Sequence, residues 1–234
     1  MAAPQNTNLA ETFLELTKTD HQITSLSSSH YGKAASADRV NAAKAGLEAN
    51  GFNVHIVNTR LDAFEIVKRL IPENASINNA HSTTLEEIGF ITYIKGQTPW
   101  KNVHGTILAE KDQAKQAELR RTLGSTVDYY LTSVAAITET GHLAHGDLSG
   151  SKVGGVAFGA GNVIVVAGSN KIVKDEKEAW IRQSEFALPL ESARVRIAYG
   201  LPGSAVTHYE VIRQANPFNK GRITVVIVNE ALGY

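Results

Sequence analysis

The chain has 234 residues, and 23 Lys and Arg balance 23 Asp and Glu, so the formal net charge near neutral pH is zero. A hydrophobic fraction of 43% with 20% charged residues fits an ordinary globular protein whose core needs no cross-links. The charge balance leaves no basic footprint for nucleic acid, no run reaches the ~18–20 apolar residues of a membrane span, and the lack of cysteine removes disulfides, thiol nucleophiles and cysteine-bound iron–sulfur clusters.

The opening MAAPQNTNLAETF has no basic stretch followed by an apolar one, so no secretory leader is expected and a cytoplasmic location is. Leu9, Phe13 and Leu16 then recur at helical spacing behind a capping Asn8. The polar, Ser-rich residues 19–36 read as a solvated connection. Residues 38–49 put Val40, Ala43 and Leu47 on one helical face and stop at Asn50-Gly51.

A regular alternation follows. Residues 52–58 read as a strand. Asp62 can cap a helix that turns Ala63, Ile66, Val67 and Leu70 inward and ends at Pro72. Residues 75–80 form a short strand, and HSTTLEEIGF turns from it into a helix with Leu85 and Ile88 inward. A helix is predicted over 113–123, strands over 129–137 and 162–167, and a helix over 175–186. Residues 187–221 give no clear pattern, and a β-branched strand closes the chain at 222–232. Apolar strands alternating with helices predict an α/β fold, with a parallel or mostly parallel sheet covered on both faces.

Four stretches can carry chemistry. Ser82 and Thr83 stand where a strand runs into a helix, so hydroxyls and free N–H groups there can hold an anion. The same residues can simply cap the helix, with Glu86 closing a capping box. Glu139 follows the apolar run TSVAAIT, where burial would raise a carboxyl toward acid–base use; capping or an ion pair with Lys152 is the alternative. His142, His145 and Asp147 lie within six residues and include metal-ligating types. In an extended segment His142 and His145 point to opposite faces, so a turn at Gly141 or Gly146 is needed to join them. His81, also at a strand end, is the candidate third ligand; loop histidines without a metal are the competing reading. Asn170, Lys171 and Lys174 follow another strand and can meet an anionic substrate, or stand as solvated groups before a helix capped by Asp175. Gly154, Gly155, Gly159 and Gly161 have the wrong order for a dinucleotide fingerprint and read as turns.

The blocks HSTTLEEIGF, TSVAAITETG, VIVVAGSNKIVKD and GRITVVIVNEALGY occur in this order over roughly residues 60–234, and in them the chain resembles the LUD family of lactate-utilisation proteins. The resemblance implies a Rossmann-like three-layer α/β/α domain, similar to ribose-5-phosphate isomerases, CoA transferases and 5-formyltetrahydrofolate cyclo-ligases. It divides the chain into a helical lead-in at 1–50 and a LUD-like domain at 51–234. Bacterial members accompany iron–sulfur proteins in oxidation of L-lactate to pyruvate. In the wider fold the loop matching residues 80–84 holds substrate, and a glutamate often does acid–base or covalent work. This points to Ser82, Thr83, Thr84 and Glu139.

Relatives typically carry Gly-Gly-Ser where this chain has Ala80-His81-Ser82, and usually lack the histidines at 142 and 145. From that departure we expect a divalent metal such as zinc on His81, His142 and His145, with Glu139 as acid/base. No iron–sulfur cluster is expected. The expected function is a small-molecule enzyme of isomerase, lyase or hydrolase type acting on a polar, anionic metabolite. Glu139 and Lys152 would be catalytic, and Ser82, Thr83, Thr84, Thr138, Asp147, Asn170 and Lys171 would bind substrate. The alternative is a non-catalytic accessory protein of L-lactate oxidation. A homodimer, without nucleic-acid or membrane partners, is expected from the domain class.

Overall fold

The computed structural model describes residues 15–234. Residues 15–19 are helical, and the expected start of that helix at Asn8 lies outside the described residues. The Ser-rich connection is wound into two 3-10 segments, His21–Ser28 and His30–Gly32. In chain order there follow α1 (Ala37–Ala49), β1 (Asn53–Val57), α2 (Arg60–Leu70), β2 (Ser76–Asn79), α3 (Thr83–Glu87), α4 (Phe90–Ile94), β3 (Lys101–Asn102), α5 (Val103–Ala109) and α6 (Gln113–Thr122). The second half holds β4 (Tyr129–Thr132), β5 (Ala136–Thr138), β6 (Leu143–Asp147), α7 (Ser151–Gly154), β7 (Asn162–Gly168), β8 (Ile172–Val173), α8 (Glu176–Arg182), α9 (Leu188–Tyr199), β9 (His208–Ile212) and β10 (Ile223–Val228).

The main sheet has six strands in the order β1-β10-β7-β4-β2-β3, with every described pair parallel. β10 reads ITVVIV and is buried at all positions, as a central parallel strand covered on both faces must be. Its alternate side chains serve two cores. Val226 and Val228 join Leu131, Ile164 and Val166 under α2, α3 and α9. Val225 and Ile227 join Val163, Val165 and the Val40, Ala43 and Leu47 face of α1. This is the Rossmann-like three-layer α/β arrangement. Local chemistry fixes the helix starts. Thr59, not Asp62, is the cap of α2: the Thr59 hydroxyl accepts from Asp62 N at 3.2 Å, and the Asp62 carboxylate accepts from Thr59 N at 3.0 Å.

The run 129–137 is not one strand. It leaves the main sheet after Thr132 and enters a second, four-stranded sheet at Ala136, in the order β8-β5-β6-β9. The neighbouring chain does the same: β7 ends at Gly168, a 3-10 turn over Ser169–Lys171 intervenes, and β8 begins at Ile172. Two paired parallel strands therefore break side by side, at 133–135 and 169–171.

Such a break strips ladder partners from buried carbonyls, which need other donors. Arg182 supplies them. Its wholly buried guanidinium donates to the carbonyls of Ala135 and Asn170, one on each broken chain, and to that of Tyr31. Arg182 is presented by α8, whose helical path continues through a π segment, Gln183–Ala187, into α9. Pro189 sits in the first turn of α9 and has no N–H to give the preceding turn. The wider π turn lets the helix run on through it.

On the far side, α1 meets the turn between β5 and β6 through glycine on glycine. A side chain on Gly46 would come within 2.6 Å of the Gly141 backbone. Gly141 itself has φ of 82°. Asn50 at the end of α1 donates to the carbonyls of Thr140 and Gly141 at 2.9 and 3.1 Å. Among the described residues no helix is long and apolar enough to cross a membrane.

Candidate functional site

The carboxyl ends of β2, β4 and β7, together with the two strand breaks, border an open cleft of about 480 Å³. Ligands of open α/β sheets bind at this edge. At its base lies Lys171, only 2% exposed. Its Nζ donates to Thr84 Oγ1 and to Ser133 Oγ, both at 3.0 Å. Thr84 belongs to α3 after β2, and Ser133 to the break after β4. The amine thus ties together the ends of three main-sheet strands. Among the described residues no carboxylate forms an ion pair with it. Burial, with the nearby Arg182 charge adding to it, holds the Lys171 pKa well below the usual lysine value. Burial brings Arg182 itself down to about 9.

Glu87, on α3, is the nearest opposite charge felt by Lys171, and it too is buried. Its Oε2 accepts from Gly233 N at 2.9 Å, and its Oε1 has no partner. Burial pushes this carboxyl up to about 8 against the pull of Gly233 N–H and Lys171. Near the chain's end Leu232 and Gly233 pass by the amine, a side chain on Gly233 coming within 3.0 Å of Lys171 Nζ. Asn170 pins them, accepting from Leu232 N and donating to the Gly233 carbonyl, both at 3.0 Å. Gly233 has φ of 60°, and a side chain there would collide with Thr84 Oγ1.

The walls carry mixed charge, but the anions are already engaged. Asp147 accepts from Lys152 N at 2.9 Å and from Val153 N at 3.4 Å, closing the first turn of α7. Glu191 receives a two-pronged contact from Arg194 at 2.8 and 2.6 Å and the Tyr234 hydroxyl at 2.7 Å. Burial raises Glu191, but these bonds outweigh it and keep the carboxyl below its usual value. Lys152 faces the same cleft, and burial lowers its pKa against the attraction of Asp147. His81 opens onto the cleft, where the surrounding protein and the Arg194 charge lower its pKa. Asn78 and Asn79 line the floor with amide oxygens that lack a partner.

Of the residues expected from sequence, Ser82, Thr83, Thr84, His81, Asp147, Lys152 and Lys171 all line this cleft. Ser82 also caps α3, accepting from Leu85 N at 3.3 Å. Asn170 is committed to residues 231–234. Glu139, Thr138, His142 and His145 are elsewhere, because the strand they follow or form belongs to the second sheet. Glu139 lies 2.6 Å from Arg39 Nε on α1. Thr138 accepts from His142 N at 2.9 Å inside the β5–β6 turn. His142 sits 2.8 Å from Glu176, which also holds Arg213 at 2.7 Å. His145 is buried within β6, 3.1 Å from Glu210 on β9, and burial lowers its pKa despite that neighbour.

The shared histidine site is therefore not formed. His81, His142 and His145 each stand beside a different glutamate. Among the described residues no group of three or more His, Asp or Glu side chains is placed to hold a metal ion. No turn falls between His142 and His145 to join them: Leu143–Asp147, Gly146 included, is strand, and His142 just precedes it.

Sequence reasoning missed Glu87, Arg182, Glu191, Arg194 and Tyr234. Arg182 carried a legible signal, because Ala179, Arg182 and Phe186 share one helical stripe and its two neighbours are apolar. Glu87 carried none beyond its place beside Leu85 and Ile88.

Among curated proteins none matches the sequence. A crystal structure of a DUF162 family protein from Deinococcus radiodurans is similar at 17% identity, over 82% of this chain and 96% of that one, with a TM-score of 0.44. The LUD domain profile matches residues 40–228, and the chain is a member of the LUD domain family, which is associated with lactate utilisation.

Proposed function

We propose that the cleft is the active site of a small-molecule enzyme acting on a polar, anionic metabolite, in a reaction of isomerase, lyase or hydrolase type. The observation that carries this is Lys171. A primary amine is buried without a carboxylate partner and is held by two hydroxyls at the base of an open cleft. An uncompensated buried cation costs stability, and groups so perturbed cluster at functional sites. Burial favours the neutral amine, the form that can act as a base or nucleophile. Anion preference follows from the walls. Asp147 and Glu191 are already bonded, whereas Lys152 lines the cleft with no carboxylate on its side chain among the described residues. Glu87, rather than Glu139, is the carboxyl whose charge acts on Lys171.

The test is a thermal-shift screen of small carboxylates and phosphate esters against wild-type protein and Lys171→Met. The expected result is at least one ligand that raises the melting temperature of the wild type and fails to raise that of the variant. Ligands that stabilise both equally, or a complete absence of ligands, would sink the reading. The accessory-protein alternative draws support from Phe158 and Phe218, 87% and 97% exposed. It predicts the second outcome.

A further inference from the structure

We infer that Lys171 is a covalent catalyst: its Nζ forms an imine with the carbonyl carbon of an anionic aldehyde or ketone held in the cleft. This rests on the reading of the cleft as a small-molecule site and goes beyond it by naming the bond and the substrate class.

The geometry supplies what imine formation needs. The nucleophile must be an unprotonated primary amine; burial and the Arg182 and Lys152 charges favour that form, and Glu87 opposes them. Arg182 on α8 and Lys152 on α7 are cations; Thr84 and Ser133 are neutral hydroxyls; Glu87 on α3 is the single nearby acid and is itself buried. The two hydroxyls fix the amine at 3.0 Å each and leave it facing the cavity that it lines.

The step balances without any further reagent. The amine lone pair attacks the carbonyl carbon, the C–N bond forms, and the carbonyl π pair moves to oxygen, which takes up a proton. Nitrogen loses a proton, the protonated hydroxyl departs as water, and the C=N bond closes. Amine plus carbonyl compound gives imine plus water. Thr84 Oγ1 and Ser133 Oγ lie within hydrogen-bond distance of the nitrogen and can pass these protons. Once protonated, the imine draws electrons from the adjacent carbon, which suits isomerase and lyase chemistry. Lys152 lines the same cavity and supplies a charge for a carboxylate or phosphate on the substrate.

The experiment uses the full-length wild-type protein with glyoxylate, a small anionic aldehyde, and cyanoborohydride near pH 7. Reduction leaves a carboxymethyl group on each lysine that has formed an imine, and peptide mass spectrometry locates it. Lys171 is expected to be modified at least tenfold faster than Lys44, Lys68 and Lys115 on the surface. Its rate should also persist to lower pH than theirs. Modification of Lys171 no faster than of the surface lysines overturns the imine. If a metabolite in the thermal-shift screen still depends on Lys171, only the covalent step is lost and Lys171 serves as a base or anion contact. If no metabolite binds either, both readings fall.

Discussion

The molecule holds two polar regions built on opposite principles. Along the second sheet charged side chains pair in reach of water: Arg39 with Glu139, and Arg213 with Glu176, which also stands beside His142. At the junction of the two sheets Lys171, Arg182 and Glu87 are buried, and carbonyls, hydroxyls and one backbone N–H hold them in place of opposite charges. Exposed pairs contribute little to stability, about 0–1 kcal/mol each. Buried groups without a counter-ion are costly unless every bond is made. The first region is decoration on a stable edge; the second concentrates cost where the cleft opens.

The contrast breaks most sharply at Arg182. Arg182→Ala should cost about 4 kcal/mol, since it removes the guanidinium donors from the buried Ala135 and Asn170 carbonyls and opens a cavity. Urea unfolding measures it, and a cost under ~1 kcal/mol would place this arginine with the edge pairs. Glu87 gives a pH signature. Its folded pKa of about 8 lies above the unfolded value, so the folded state binds the proton more tightly. Its contribution is complete below about pH 4.5 and is lost as pH rises through 8. The loss is on the order of a few kcal/mol. Glu87→Gln, which keeps the protonated shape, should flatten the fall in melting temperature between pH 5 and 9.

Lys171→Met sharpens the comparison from the other side. Replacing a buried amine by an apolar chain of similar length should raise stability by about 2 kcal/mol while abolishing ligand response. A loss of both would mean that the amine is a structural tie. The smallest effect belongs to the edge. Glu139→Gln should change stability by less than about 1 kcal/mol in chemical denaturation and leave ligand response unchanged.

The main sheet was legible because its longer strands are rich in β-branched apolar residues: the segments expected at 52–58, 75–80, 162–167 and 222–232 overlap β1, β2, β7 and β10. The second sheet was not. TSVAAIT shows no alternation across its apolar centre, so periodicity could not show that the chain changes sheets at Ser133, and Glu139 was placed one sheet too close to the ligand. β9 is short and only partly buried, and Pro189 reads as a stop where a π turn carries the helix through. Of the site, the hydroxyl cluster at 82–84 and Lys171 stood out because they follow strands. Their convergence did not, since it depends on two breaks lying side by side.

Those adjacent breaks have a mechanical consequence. Residues 133–135 and 169–171 are the shortest strand-to-strand links between the sheets, so a swing of one sheet against the other would bend there. Ser133 and Lys171 ride on the pivot, whereas Thr84 stays with the main sheet. A swing that widened the cleft would therefore pull the amine away from one hydroxyl before the other, coupling the width of the opening to how firmly the nitrogen is gripped.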